Sequence, residues 1–314
     1  MYVSEHPQSR AGPLTRGRAS WFTGLALCLC IAAPLAHSQG MPEDSSSAQS
    51  ALLAKHTALA AQLGRNAYGR PLVIDSTEGP TSVIGNAYAV IDAPFATVNA
   101  ALKSPAHWCD VMILHLNTKL CQSRTARGQP ELAVKIGKKL GLALGDAYSL
   151  NFNFSLDAST PTYLNVKLAS PSGPLGTHDY RIQLQATPLA NGKTFVHLGY
   201  SYGYNMASRL AMQAYLATVA SDKVGFSRID TASSRGPGLV RGLRGVTERN
   251  TMRYYLAIEA YMASLQSPQQ EQLERRLEAW FDATEQFPLQ LREVDKPTYL
   301  ALKRQEVQRQ QSSS

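Results

Sequence analysis

The chain is short of several things that would have named a function outright. It has only four cysteines in 314 residues, and two of them, Cys28 and Cys30, fall in the first 38. Nothing near the other two, Cys109 and Cys121, has metal-ligand spacing, so no metal site is expected. Gly236-Pro237-Gly238 lacks the Gly-Lys-Ser/Thr ending of a phosphate-binding loop, and no dinucleotide fingerprint follows a predicted strand. No cofactor is therefore expected. There is no internal repeat, and after residue 38 no run is long and apolar enough to cross a bilayer. Charge is sparse too: 17% of residues are charged and the net is +8. A surplus that small gives weak attraction to anionic surfaces and does not specify nucleic acid.

What the chain does have begins with a leader. Arg10, Arg16 and Arg18 precede an apolar stretch from Trp21 to Leu35, and Ala36-His37-Ser38 places small residues where a signal peptidase needs them. The stretch is about 15 residues long, below the roughly 20 of a spanning helix, which favours cleavage over a signal anchor. Leu27 and Leu29 stand where a lipobox wants small residues, so no lipid anchor is expected. The reading is a signal peptide over 1–38 and a periplasmic or secreted protein cleaved near Ser38. Three arginines and one glutamate leave with the leader, which takes the charge from +8 to +6. The remaining Cys109 and Cys121 are then an even pair in an exported chain. That favours a disulfide over two buried thiols.

Residues 39–49 are polar and Ser-rich and are expected to be disordered. Leu52, His56, Leu59 and Leu63 form one helical stripe over about 48–65. From Thr81 the period changes to two, through Ile91, before Asp92-Ala93-Pro94. Two short helices follow, over about 95–102 and 106–116. Six further strands are predicted over 118–125, 131–138, 147–158, 162–170, 178–188 and 193–204. Asn191-Gly192 marks the hairpin between the last two. Helices are expected over 206–220, 247–265, 268–287 and 297–310, with a Gly- and Arg-rich link over 221–246.

The order is strand, two short helices, six meandering strands and C-terminal helices. It predicts an α+β fold in which a curved antiparallel sheet buries one face under a long helix. The segment Ala87-Tyr88-Ala89-Val90-Ile91-Asp92-Ala93-Pro94-Phe95, with Val98, resembles the first strand and turn of the START-like superfamily, also called SRPBCC, the helix-grip proteins. Asp92, Pro94 and Val98 match its loose D-x-P-x-x-x-V spacing, and the likeness covers roughly 81–265. The helix before the strand and about 50 helical residues at the end depart from that pattern. The expected organisation is thus a START-like domain over 50–265 and a helical C-terminal extension over 266–314 with a disordered end. The resemblance implies a cavity for a lipid-like, polyketide or aromatic ligand. It transfers no catalytic set, because some members act on the ligand and many only carry it.

Phe152, Phe154, Tyr180, Tyr200, Tyr202 and Tyr204 fall on the apolar strand faces and are the expected cavity lining; ordinary cross-strand packing is the competing explanation. His107, Asp110 and His115 are the densest titratable cluster. His107 and Asp110 stand three apart on a helix and could pair for general-base work, yet no nucleophile accompanies them, so a structural role is expected. Arg235, Arg241 and Arg244 in the link could hold an anion or a membrane surface, against a solvated loop as the plainer account. In the tail, Leu273, Leu277, Trp280, Phe281 and Phe287 make a stripe expected to pack on the main domain. The function expected is a non-catalytic carrier of a hydrophobic or amphipathic small molecule, with no nucleic acid partner. The alternatives are an enzyme on the same scaffold (a cyclase, dehydratase or hydrolase) and an envelope protein that contacts a membrane or another protein.

Overall fold

Period-two alternation becomes strand after strand of one sheet. The computed structural model describes residues 45–138, 140, 144–218, 223–229 and 238–312. Its eight main strands are β1 (Leu72–Glu78), β2 (Ser82–Ile91), β3 (Thr118–Ala126), β4 (Gln129–Ile136), β5 (Tyr148–Ser159), β6 (Leu164–Ser172), β7 (Thr177–Pro188) and β8 (Thr194–Tyr204). They lie side by side in the order β1-β2-β8-β7-β6-β5-β4-β3, and every neighbouring pair is antiparallel. Register shifts between Thr118 and Leu120, Leu156 and Ala158, and His178 and Arg181 interrupt the ladders. Such bulges bend a sheet. The 39–49 segment is not all irregular: residues 45–49 are the start of α1 (Ser45–Gly64), and 39–44 lie outside the described residues.

β1 is a strand that alternation does not reveal. Leu72 and Ile74 face the main core, while Val73 packs with α1 on the opposite face. A strand buried on both sides reads as a continuous apolar run, with no period to detect. α1 covers the outer face, where Leu52, Leu59 and Leu63 meet Tyr163 and Phe195 in a small second core.

The inner face is closed by helices. α2 (Phe95–Leu102) and α3 (Pro105–Met112) carry the chain from β2 to the far edge of the sheet at β3. α4 (Met206–Thr218) follows β8, and α5 (Gly242–Ser264) packs on β1, β2 and β8, with α3, α4 and α6 (Gln272–Glu285) around it. This is the helix-grip arrangement expected from the sequence. Of the 23 residues in α5, 17 are buried. Its buried threonine and serine hydroxyls bond within the helix, as where Thr251 Oγ1 donates to Thr247 O at 2.9 Å. Each fully buried aliphatic side chain in this layer, such as Leu198 or Leu256, contributes roughly 2 kcal/mol.

α5 begins five residues before the helix expected from Thr247. Gly242 and Gly245 disfavour a helix there in sequence, but Gly245 has a packing reason. A Cβ on Gly225 would stand 3.0 Å from the Gly245 Cα and 2.6 Å from Glu248 Oε2, so the returning chain lies directly on the helix. Glu248 secures it, accepting from the main-chain N–H groups of Phe226 (2.6 Å) and Ser227 (2.8 Å) and from the Ser76 hydroxyl (2.5 Å). The two-residue strands β9 (Arg228–Ile229) and β10 (Gly238–Leu239) pair next to this contact.

The tail is integral to the core. Leu277, Trp280 and Phe281 of α6, Leu291 of the short α7 (Pro288–Leu291) and Tyr299 of α8 (Lys296–Ser312) belong to the same buried cluster as the sheet. The Trp280 indole N–H donates to Arg253 O at 3.0 Å, and the Tyr299 hydroxyl donates to Leu114 O at 3.0 Å. Residues 266–312 therefore complete the fold. They are not an appendage to it.

Candidate functional site

Beside the packed core, the inner face of the sheet and α5 border an open space. A partly enclosed cavity of about 500 Å³ opens there. On the sheet side it is walled by Ile136, Leu150, Tyr180 and Tyr200, with Leu216 of α4 beside them. On the helix side stand Val246, Arg249, Asn250, Arg253 and Tyr254. His115, Lys223 and Glu293 reach it from connecting segments.

The local sequence explains how these side chains arrive. Tyr200 lies on the inner face of β8, opposite Gly85 of β2 and Ile182 of β7. The bulge between His178 and Arg181 presents Tyr180 beside it, 6.4 Å from Tyr200 and stacked 5.3 Å from Tyr202 between ring centroids. From the helix, Tyr254 approaches Tyr200 at 5.6 Å and His115 at 5.1 Å. Burial raises the Tyr180, Tyr200 and Tyr254 hydroxyls above the ordinary phenol range, so all three keep their protons. The Tyr200 hydroxyl meets the Asn250 side chain, and that of Tyr180 lies 2.8 Å from Thr177 Oγ1.

The charged groups are held by ties of their own. Arg253 is buried and meets Glu293 Oε1 at 2.9 Å. Desolvation lowers its pKa, and the Glu293 carboxylate opposes that shift. Arg249 Nη1 donates to Val224 O at 3.2 Å. Lys223 Nζ donates to Arg292 O at 3.4 Å and stands 3.9 Å from Glu293 Oε2.

Of the six residues expected to line a cavity, Tyr180 and Tyr200 border this one. Phe152 and Phe154 are instead packed into the core, opposite Leu132 and Leu168 on neighbouring strands. Tyr202 sets its hydroxyl against Thr247. Tyr204 donates to Gly79 O (2.8 Å) and Ser82 O (3.1 Å), which ties it to the β1–β2 turn. One strand face thus serves both packing and cavity, and position along the strand decides which.

The His107–Asp110 pair does not form. His107 Nδ1 bonds Ala101 O at 2.6 Å, and Asp110 pairs with Arg276 at 3.1 Å. His115 alone of the three reaches the cavity, and its Nδ1 accepts from the Asn117 N–H at 3.1 Å. Among the described residues no cluster of His, Cys, Asp and Glu could hold a metal. Cys109 of α3 and Cys121 of β3 are disulfide-bonded, with Cα atoms 5.1 Å apart.

The arginine link divides. Arg235 lies outside the described residues. Arg241 is exposed at the start of α5. Arg244 turns inward, donating from Nε to Ser76 Oγ at 3.0 Å, next to Glu248, and so is committed to internal structure. Sequence reasoning missed Arg249, Asn250, Arg253 and Glu293 as cavity groups. The i, i+4 spacing of Arg249 and Arg253 on one helix was the available signal.

No family model matches the chain, and no curated protein does either. Solved structures to which it is similar include truncated norcoclaurine synthase from Thalictrum flavum, at 11% identity, covering 46% of this chain and 91% of that one, with a TM-score of 0.33. Ara h 8.0201 is similar at 9% identity, with coverage of 58% and 99% and a TM-score of 0.34. The human StAR-related lipid transfer protein 5 is similar at 11% identity, with coverage of 51% and 82% and a TM-score of 0.27. Likenesses this distant assign neither ligand nor activity.

Proposed function

We propose that this protein is a non-catalytic carrier that holds a hydrophobic or amphipathic small molecule in the cavity beneath α5. The observation that carries the reading is this cavity, about 500 Å³ and partly enclosed, where aromatic and aliphatic walls meet charged and polar side chains. Pockets for small ligands span about 300–1,000 Å³ and combine such walls with a few polar groups. Native mass spectrometry of the full chain purified from its own host tests the reading. The expected result is a stoichiometric adduct of lipid-like mass that denaturation releases. A protein that carries no adduct, and takes up none from a lipid extract of the host, would contradict it.

Export belongs to the same proposal and rests on the basic leader, the short apolar stretch and the Ala36-His37-Ser38 site. Terminal sequencing of the mature protein is expected to begin at Gln39. A chain recovered from the cytoplasm with its leader intact would refute it.

A further inference from the structure

We infer that Lys303 of α8 is a positioning residue for the cavity. With Tyr299 and Glu306 beside it, it fixes the wall formed by His115, Asn117 and Thr118, and so sets what the cavity holds without touching the bound molecule. The inference rests on the carrier reading and adds a control point to it.

Among the described lining residues none belongs to α8. His115, Asn117 and Thr118 come from the connection between α3 and the start of β3. The Cys109–Cys121 disulfide anchors that connection at both ends, and residues 113–116 within it are buried. Buried backbone groups need partners, and a connection outside regular structure finds few of its own. α8 supplies them. Tyr299, Lys303, Glu306 and Gln310 follow one another at helical spacing and share one face. The Tyr299 hydroxyl donates to Leu114 O at 3.0 Å, and the Lys303 ammonium donates to His115 O at 2.7 Å and Thr118 O at 2.8 Å. Gln310 Oε1 accepts from the Cys121 N–H at 2.9 Å. The wall's backbone is thus held from α8, while its side chains border the cavity, where His115 meets Tyr254 at 5.1 Å between ring centroids.

Charge makes Lys303 the residue to remove. Two buried ammonium groups, Lys119 and Lys303, share the Glu306 carboxylate, at 2.9 Å and 2.7 Å. Lys303→Met keeps the side chain's length and leaves Glu306 its ion pair with Lys119, so no carboxylate is stranded. What it deletes is the donor shared by the His115 and Thr118 carbonyls. Burial lowers the Lys303 pKa from 10.5 to about 8, with Glu306 opposing, so the ammonium keeps its proton at neutral pH.

The test titrates phenylnaphthylamine, an uncharged aromatic probe that fluoresces in apolar surroundings, into the full chain and three variants at neutral pH. The variants are Lys303→Met, Tyr299→Phe and Leu59→Ala, and hydrogen exchange over 113–119 is followed in the same proteins. Leu59 lies in the second core on the outer face, so L59A weakens the fold without touching the wall. Apparent affinity falls with the fraction of molecules whose wall is in place. K303M is therefore expected to weaken the probe by about tenfold, the worth of one charged hydrogen bond, and to speed exchange over 113–119. Y299F keeps its ring stacked on Trp280 and loses one neutral hydrogen bond. It should weaken the probe about threefold, and it keeps the test open if K303M does not fold. L59A should leave the probe within about twofold. Unchanged affinity in both wall variants, or an equal loss in L59A, would overturn the inference. So would affinity that falls while 113–119 exchanges as before, which would place the effect outside the wall. A parent that binds no probe, with exchange still faster in K303M, would overturn the carrier reading and the control point with it, leaving Lys303 a structural role alone.

Discussion

Gly85 of β2 and Thr251 of α5 are in such close contact that a Cβ added to the glycine would stand 2.5 Å from the threonine Oγ1. The same atom would lie 3.0 Å from Thr247 Cγ2. Gly85 pairs with Tyr200 across the sheet, so this contact sets the depth of the helix beside the cavity. Gly85→Ala is expected to cost about 1–3 kcal/mol through overpacking. Thr251→Ala should recover part of the loss in the double variant. Urea denaturation of the four proteins of the cycle measures both effects, and strict additivity would show that the two positions do not press on one another.

Arg253 and Glu293 are both largely buried at the cavity edge. Removing one partner of such a pair leaves a desolvated charge without its counter-ion. Glu293→Gln is therefore expected to destabilise the fold by about 3 kcal/mol. The double variant Arg253→Met/Glu293→Gln should recover much of this, as read from thermal unfolding of the three proteins.

Cys109 and Cys121 close a loop with a sequence separation of 12. Replacing both with alanine should lower unfolding free energy by about 3 kcal/mol, chiefly by freeing the unfolded chain. The check is chemical denaturation of the oxidised protein against the double variant. Indistinguishable midpoints would show that the bond adds nothing.

His197 supplies a pH dependence with a definite sign. It lies on the outer face of the sheet, stacked on Tyr88 at 4.4 Å, with its ring nitrogens 3.0 Å from Gln185 Oε1 and 2.9 Å from Asn86 Oδ1. Burial lowers its pKa from 6.5 to about 4. Between those values the unfolded chain binds a proton that the folded protein refuses, so stability falls as pH drops from 6.5 toward 4. A shift of that size corresponds to about 3 kcal/mol over the window. His197→Gln should flatten that part of the profile relative to the parent, measured as urea midpoints at several pH values. A parallel profile would remove His197 as the cause.

The architecture was legible because its determinants are periodic. Tyr148 to Leu156 alternates, Asn191-Gly192 turns the chain, and Asp92-Ala93-Pro94 ends β2 where the structure ends it. β1 was not legible, because Leu72, Val73 and Ile74 are buried on both faces. The integration of the tail was only half visible. Its apolar stripe on α6 announces packing, but α8 is polar in sequence and is anchored by Lys303. That fully buried ammonium donates to His115 O (2.7 Å), Thr118 O (2.8 Å) and Glu306 Oε2 (2.7 Å). The two carbonyl acceptors lie 188 and 185 residues away along the chain and leave no local trace. The site was legible as aromatic strand faces but not in its extent. Phe152 and Tyr200 obey the same alternation, and only the course of α5 over the sheet decides which is packed and which borders open space.

The most direct test fills the cavity from within. Val246 lines it on the first turns of α5, and Val246→Trp would occupy part of the volume without removing a charge. Phenylnaphthylamine titrated into the parent protein should saturate at one site, and the variant should lose that binding while keeping its thermal midpoint. Equal saturation in both proteins would place the bound molecule elsewhere and contradict the account.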